Sequence, residues 1–554
     1  MTHWHPLKTI GTWHPETSNA EPLESTIQNA LLNVVQPIYV VSQEGRLAVS
    51  QTGTAELGGN AAVRRDGLPL VAYVPALHPA ALGDPLFKST YGLRYAYVAG
   101  EMANAITSVR MVREAGKSGL VGFFGAGGLM PSEVEEAVDQ LQQTQPRIPF
   151  GVNLIHSPGN SELEMALADL FVKKQVRFVS ASAFVEPTLQ LAYYRVKGIH
   201  RDAEGCIVCP NKLVGKVSRS EVARKFLSPP SRRHIERLVE LGRLSREEAD
   251  LAAHIPLVED LTAEADSGGH TDNRPAIALL PTMIALRDEI AAAHSYVRPP
   301  CVGLAGGIAT PQATAAAFAM GAGYVLTGSI NQCCVEAGTS EAVFSMLAEA
   351  GQADVIMAPS ADMFELGVKV QVLKRGTMFP QRAAKLFELY TTYNRYDQIP
   401  AQQREMLERD VFRCSFEDAW EQTRRFFMER DPRQVDIAEK KTKHQMALVF
   451  RSYLGQSSTW AIRGDPSRKI DYQIWCGPAM GAFNQWVKGS FLEKPQNRRT
   501  VTVAMNLLYG AAVATRASWL QSQGVPLVAG AGTIRPMELS EISNGLGESS
   551  NRAI

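Results

Sequence analysis

Cys301-Val302-Gly303-Leu304-Ala305-Gly306-Gly307-Ile308 and then Tyr324-Val325-Leu326-Thr327-Gly328-Ser329 each run from a short apolar stretch into glycine before a helical pattern begins. Six earlier runs share that texture: Tyr95–Val98, Leu120–Phe124, Pro149–Leu154, Val176–Ala181, Leu213–Val217 and Leu261–Glu264. With Cys301–Ala305 and Gly323–Thr327 they make eight. Each is followed by residues of helical periodicity, which is the βα alternation of a parallel sheet. Helix starts are marked by Pro131-Ser132-Glu133 and Thr310-Pro311-Gln312, with proline at or near the first helical position. Eight units over this span predict an α/β fold of the (β/α)8 TIM-barrel kind, which typically takes roughly 250 residues. An open doubly wound sheet is the alternative.

Outward from the barrel, Pro37–Val41 and Leu47–Val49 flank Gln43-Glu44-Gly45, a hairpin signal in the leading region. Between the fifth and sixth runs, Ser220 to Pro256 reads as amphipathic helix, an insertion placed to act as a lid over the barrel mouth. Beyond about residue 330 the chain is helical and charge-rich, and no strand series is expected to resume. Phe416, Trp420, Phe426 and Phe427 lie at near-helical spacings there, a pattern that core packing explains better than a binding platform. Cuts near 85 and 340 divide the chain into a small N-terminal region (1–85), a barrel (86–340) with its helical insertion (220–256), and a helical C-terminal region (341–554).

Composition removes other classes. The 554 residues are 45% hydrophobic and 20% charged, which excludes disorder as the main state. Lys+Arg 56 balances Asp+Glu 56, so no global field draws in nucleic acid or an anionic membrane. The longest apolar stretch, Ala313 to Leu326, falls short of the roughly 20 residues of a membrane span. The N-terminus lacks the pattern of a secretory signal, and the expected compartment is the cytoplasm. Seven cysteines suit reduced thiols rather than a disulfide framework. Cys206-Ile-Val-Cys209 has no second Cys/His pair at zinc-site distance, so no metal is expected.

The chemistry concentrates where strands end. In a TIM barrel the loops after strands seven and eight commonly bind phosphate, because bare amides and a helix N-terminus favour a dianion. Gly306, Gly307, Gly328 and Ser329 occupy those loops. Gly125-Ala126-Gly127-Gly128-Leu129-Met130 fails the dinucleotide fingerprint, since Met130 stands at the third glycine. After the sixth strand, Gly268-Gly269-His270 sets an imidazole beside bare backbone, suited to proton delivery near neutrality. Asn153 and Lys216 end two other strands. A buried lysine demands an anion, and a flavin supplies one at its N1–C2=O edge.

Together these residues resemble the nitronate monooxygenase FMN barrels. Phe150–Leu154, Glu264–Asn273, Gly303–Ile308 and above all Tyr472-Gln473-Ile474-Trp475-Cys476-Gly477-Pro478-Ala479-Met480-Gly481 are similar to the PfaD family. That family is the separate enoyl reductase component of polyunsaturated fatty acid and trans-acyltransferase polyketide synthases. The resemblance implies FMN held by backbone at Met102 and Ala103, with Asn104 and Asn153 near the ring and Lys216 at its N1 side. Gly268, Gly269, Gly306, Gly307, Gly328 and Ser329 match phosphate and ribityl positions, and His270 matches the catalytic histidine. It further implies NADPH as reductant, and acyl carrier protein as the partner that presents the enoyl thioester. A homodimer is the working expectation.

Two rival readings accompany this one: a nitronate monooxygenase using oxygen, and a non-catalytic synthase component with a vestigial flavin site. Cys333 and Cys334 follow the eighth strand, which is the wrong place for the nucleophile of IMP dehydrogenase-like barrels.

Overall fold

Eight parallel strands close on themselves in the computed structural model, which describes residues 8–16, 20–58, 67–157 and 160–548. They are β1 (Tyr97–Ala99), β2 (Val121–Phe124), β3 (Phe150–Ile155), β4 (Phe178–Ser182), β5 (Lys212–Val217), β6 (Asp260–Glu264), β7 (Cys301–Ala305) and β8 (Val325–Thr327). Pairing follows chain order, and β8 returns to β1 through Val325 with Tyr97, Leu326 with Val98 and Thr327 with Ala99. Closure excludes the open sheet. Each apolar run of the sequence became a strand because a parallel strand covered by helices outside and side chains inside has no polar face to alternate with. Val121 to Phe124 and Cys301 to Ala305 are buried throughout.

The N-terminal end of the barrel is plugged. Asp84 caps the helix Pro85–Tyr91 by accepting from Leu86 N at 2.7 Å and Phe87 N at 3.2 Å, and Gly92 ends it at φ 67°. That helix packs Phe87 and Tyr91 against Val98, Val121, Phe123, Val214 and Tyr324, with Phe87 stacked on Tyr324 at 4.1 Å. The interior is therefore a packed core, and the C-terminal rim is the end left for chemistry.

The expected hairpin forms, Ile38–Gln43 pairing antiparallel with Arg46–Ser50 inside a six-stranded sheet. Helix α3 (Thr500–Ser522) ties this sheet to the barrel. Its buried Arg516 donates to the carbonyls of Ala30, Leu31, Asn33 and Gln36. A Cβ on Gly510 would lie 2.6 Å from the ring of Pro311 at the start of the helix after β7, so glycine permits that approach.

Two expectations need correction. Strands do resume after the barrel: β9 (Val355–Pro359) and β10 (Lys369–Leu373) pair antiparallel. And the insertion after β5 is no lid. It forms three helices, Ser220–Leu227, Arg232–Glu240 and Arg246–Ala252, whose apolar faces (Val222, Ile235, Leu238, Leu251) are buried against neighbouring barrel helices. None of its residues lines the cavity at the mouth. That place belongs to helices α1 (Phe416–Arg430) and α2 (Thr442–Arg463).

Candidate active site

A cavity of about 780 Å³ opens at the C-terminal rim. Every residue singled out from sequence as catalytic or cofactor-binding lines it: Met102, Ala103 and Asn104 after β1, Asn153 on β3, Lys216 on β5, Gly268, Gly269 and His270 after β6, Gly306 and Gly307 after β7, Gly328 and Ser329 after β8.

The floor is built around Lys216. Its Nζ lies 3.2 Å from Glu101 Oε1 and 3.2 Å from Glu264 Oε1. The protein itself therefore provides the counter-anions that sequence reasoning had left to a bound ring. Burial works against the ammonium, but the two carboxylates outweigh it and hold the pKa above the ordinary lysine range. Burial conversely raises the Glu264 carboxyl, which shares one cation with Glu101. Ser180 Oγ donates to Glu101 Oε1 at 2.9 Å, and Glu101 Oε2 is buried with no hydrogen-bond partner among the described residues. An acceptor left bare beside the cavity calls for an N–H or O–H from whatever fills it. Asn153 Nδ2 donates to Ser180 O at 3.1 Å and Ser182 Oγ at 2.9 Å, which uses both amide hydrogens and leaves Oδ1 as its free valence.

The glycines divide into two kinds. A Cβ on Gly268 would meet Cys476 backbone at 2.9 Å, and one on Gly306 would meet Ala265 and Asp266 backbone at 2.7 Å, so these two permit chain-to-chain contact. Gly307 and Gly328 have nothing within 4 Å of that position. They leave an open cradle in the wall, which fits the phosphate and ribityl tail of a flavin nucleotide. The resemblance implies backbone contact with FMN at Met102, yet Met102 N already donates to Thr107 Oγ1 at 2.9 Å and Met102 O accepts from Thr107 N at 3.2 Å. Asn104 adopts φ 55°, and its side chain lies over Gly128, where a Cβ would come within 2.1 Å of Asn104 Oδ1.

His270 sits on a loop held from three sides. Arg219 grips Asp272 with Nη2 at 2.7 Å and Nε at 2.8 Å, keeping that carboxyl down at about 2 through a bidentate pair. Gly269 and His270 pair with Gln371 and Val370 of β10. Gln371 Nε2 donates to Asp266 Oδ1 and Ser267 O, each at 2.8 Å. The segment 471–481 then runs along β10, with Leu373 N to Ile474 O at 2.8 Å, packs Cys476 and Gly477 on Gly268, and ties to the loop after β8 where Gly477 N donates to Ser329 Oγ at 3.0 Å.

The imidazole Nε2 lies 3.2 Å from Asp362 Oδ2, a charge contact in which that nitrogen makes no hydrogen bond. Burial would lower the His270 pKa, but the Asp362 charge, helped by Glu264, raises it above the usual histidine value. Asp362 in turn is held down at about 2, its burial outweighed by His270.

Sequence reasoning missed Glu101, Asp362, Gln371 and the mouth residues of α1 and α2. Glu101 had a signal, a carboxylate directly after Gly100 at a strand end. Asp362 had none, because only the tertiary fold brings β9 and β10 to the rim. Phe416 is buried as expected, but Phe426 and Phe427 line the cavity mouth instead of the core.

Comparison with known proteins agrees with this architecture. A model of nitronate monooxygenases matches residues 86–392, and one of the inserted helical domain of [acyl-carrier-protein] S-malonyltransferase matches 393–472. Among curated relatives, one component of the polyunsaturated fatty acid synthase of Thraustochytrium sp. is 43% identical over 80% of this chain and 30% of its own length. Polyketide biosynthesis protein PksE of Bacillus subtilis is 40% identical over 92% of this chain and 69% of its own length. The chain thus spans under a third of the first relative and about two thirds of the second. The crystal structure of the enoyl reductase domain of MlnA from Bacillus amyloliquefaciens superposes with a TM-score of 0.76 at 39% identity, covering 80% of this chain and 99% of that one. The resemblance to the PfaD enoyl reductases stands with these relatives. A closed barrel with a glycine cradle, matched over its whole span, places the chain in the nitronate monooxygenase family of flavin-dependent oxidoreductases.

Proposed function

We propose that this protein is an NADPH-dependent enoyl reductase that binds FMN and reduces the 2,3 double bond of enoyl thioesters carried on acyl carrier protein, in polyunsaturated fatty acid or polyketide synthesis. FMN, when bound, supplies hydride exchange between a nicotinamide and an activated alkene. One observation carries the choice of reaction: His270 is poised as an acid by Asp362, 3.2 Å away. Reduction of an enoyl thioester needs a proton at the α-carbon, whereas nitronate oxidation calls for a base at this position. The relatives named for fatty acid and polyketide synthases, and the match of 393–472 to a domain of an acyl-carrier-protein transferase, support the substrate class.

In this reading Gly307 and Gly328 leave room for the nucleotide tail, while Glu101 Oε2 and Asn153 Oδ1 accept from the ring. Lys216 keeps Glu101 and Glu264 charge-compensated at the floor. His270 delivers its proton from the rim. The deciding experiment quantifies FMN in the purified protein, then follows NADPH consumption with a 2-enoyl thioester and, separately, oxygen consumption with an alkyl nitronate and no NADPH. NADPH consumed with the thioester and no oxygen consumed with the nitronate bears the proposal out. Oxygen consumption with the nitronate and no thioester reduction assigns the nitronate reaction, and no turnover in either assay makes it a non-catalytic component of a synthase.

A further inference from the structure

The cavity extends past its glycine cradle to an outer end walled by two helices that sequence reasoning had left to core packing. On α1, Phe426 is 46% exposed and Phe427 lies next to it, both on the lining. The Arg430 guanidinium sits 4.6 Å from the Phe426 ring centroid. Other arginines nearby are paired: Arg424 with Glu439 at 3.3 Å, Arg425 with Glu421 at 3.5 Å, Arg451 with Glu365 at 3.2 Å. Among the described residues Arg430 has no carboxylate within ion-pair distance. It is a cation at the mouth with an aromatic under it and no anion on it. Facing it, α2 presents Ser452, Gly455 and Gln456 one turn apart, with Gln456 Nε2 donating to Ser452 Oγ at 2.9 Å. Nothing stands within 4 Å of where a Gly455 side chain would begin.

These walls describe an occupant: an anion at the outer end, amide or hydroxyl groups along one side, and apolar atoms along the other. We infer that the α1–α2 mouth is a subsite for the phosphopantetheine arm of the acyl thioester, with Arg430 on its phosphate, Phe426 and Phe427 against the gem-dimethyl carbons next to that phosphate, and Ser452 and Gln456 beside its amides. The inference rests on the enoyl thioester reading and assigns that substrate its path into the barrel. A phosphate on a nicotinamide dinucleotide has the same chemistry toward Arg430, and the experiment separates the two.

Calorimetry on the full-length, FMN-loaded protein compares crotonyl-4′-phosphopantetheine with crotonyl-pantetheine, which differ only in the phosphate. A charge-assisted contact at a partly open mouth predicts that the phosphorylated arm binds about tenfold tighter. In Arg430→Gln the ratio falls toward one, Arg430→Lys restores part of it, and Gly455→Leu, which fills the opening, weakens both ligands. Circular dichroism melting of each variant reports that it is folded. An Arg430→Gln ratio equal to wild type overturns the inference, as does the absence of detectable binding of either arm. So does a loss of discrimination between NADPH and NADH with the arm ratio intact, which assigns Arg430 to the dinucleotide. If the phosphate ratio depends on Arg430 but no enoyl thioester is turned over, the subsite stands and the reductase reading falls.

Discussion

Replacing Asp362 by asparagine keeps the side chain's shape and removes the charge that holds His270 protonated. The two groups are 3.2 Å apart, with His270 28% and Asp362 40% exposed. At that separation, unit charges interact by about 5 kcal/mol at an effective dielectric constant of 20 and about 1.3 kcal/mol at that of water. The exposure of Asp362 places the pair near the lower figure, and about 1.3 kcal/mol is close to tenfold in the protonation equilibrium. The sign follows from the direction of the shift. A histidine whose folded pKa is raised stabilises the fold fully below its unfolded pKa, and that contribution fades as pH rises through the folded value. The alkaline limb of activity, where His270 loses the proton it donates, behaves alike, so kcat/KM in Asp362→Asn should decline at lower pH than in wild type, with a deficit approaching tenfold in the pH window between the two declines. NMR titration of the His270 ring reads the same displacement without turnover. Superimposable titrations for the two proteins would refute the argument that Asp362 sets the proton on His270.

Three further outcomes test the rest of the site. Lys216→Met strips the cation from two buried carboxylates and should cost about 3 kcal/mol in urea denaturation at neutral pH, with the deficit shrinking as acid protonates Glu264; a deficit independent of pH refutes the shared-cation floor. Gly328→Ala puts a Cβ into the cradle with no protein atom within 4 Å of it, so FMN affinity by fluorescence quenching should fall about tenfold, and full retention removes Gly328 from the tail site. Gly477→Ala places a Cβ 2.8 Å from Gly268 N, which should lower thermal stability by about 1–3 kcal/mol and slow turnover through the His270 loop; wild-type melting contradicts the close packing of these segments.

The barrel was legible because its eight strands are buried on both faces and therefore read as uninterrupted apolar runs closed by glycine or small residues. The glycine loops and His270 were legible for the same reason, since their place at strand ends is set by chain order. What escaped notice depends on packing between distant segments. Val355–Pro359 is partly exposed and flanked by loop residues, so its run carried little strand signal, and with it Asp362 went unseen. Helical spacing put Phe416 and Phe426 on equal terms, yet one is buried and the other faces the mouth; periodicity names a face but does not say what covers it. The stretch 472–481 was visible only as a family signature. Its physical reason is the strip of backbone that it lays over Gly268 and along β10.

The stopper formed by Phe87 and Tyr91 bears on timing as well as on stability. A vessel sealed at its base has one doorway, so in the reading proposed above electron donor and electron acceptor enter by the same rim and cannot come from opposite ends. Parallel initial-rate plots are the expected sign that they take turns there, and converging lines would show both held at once.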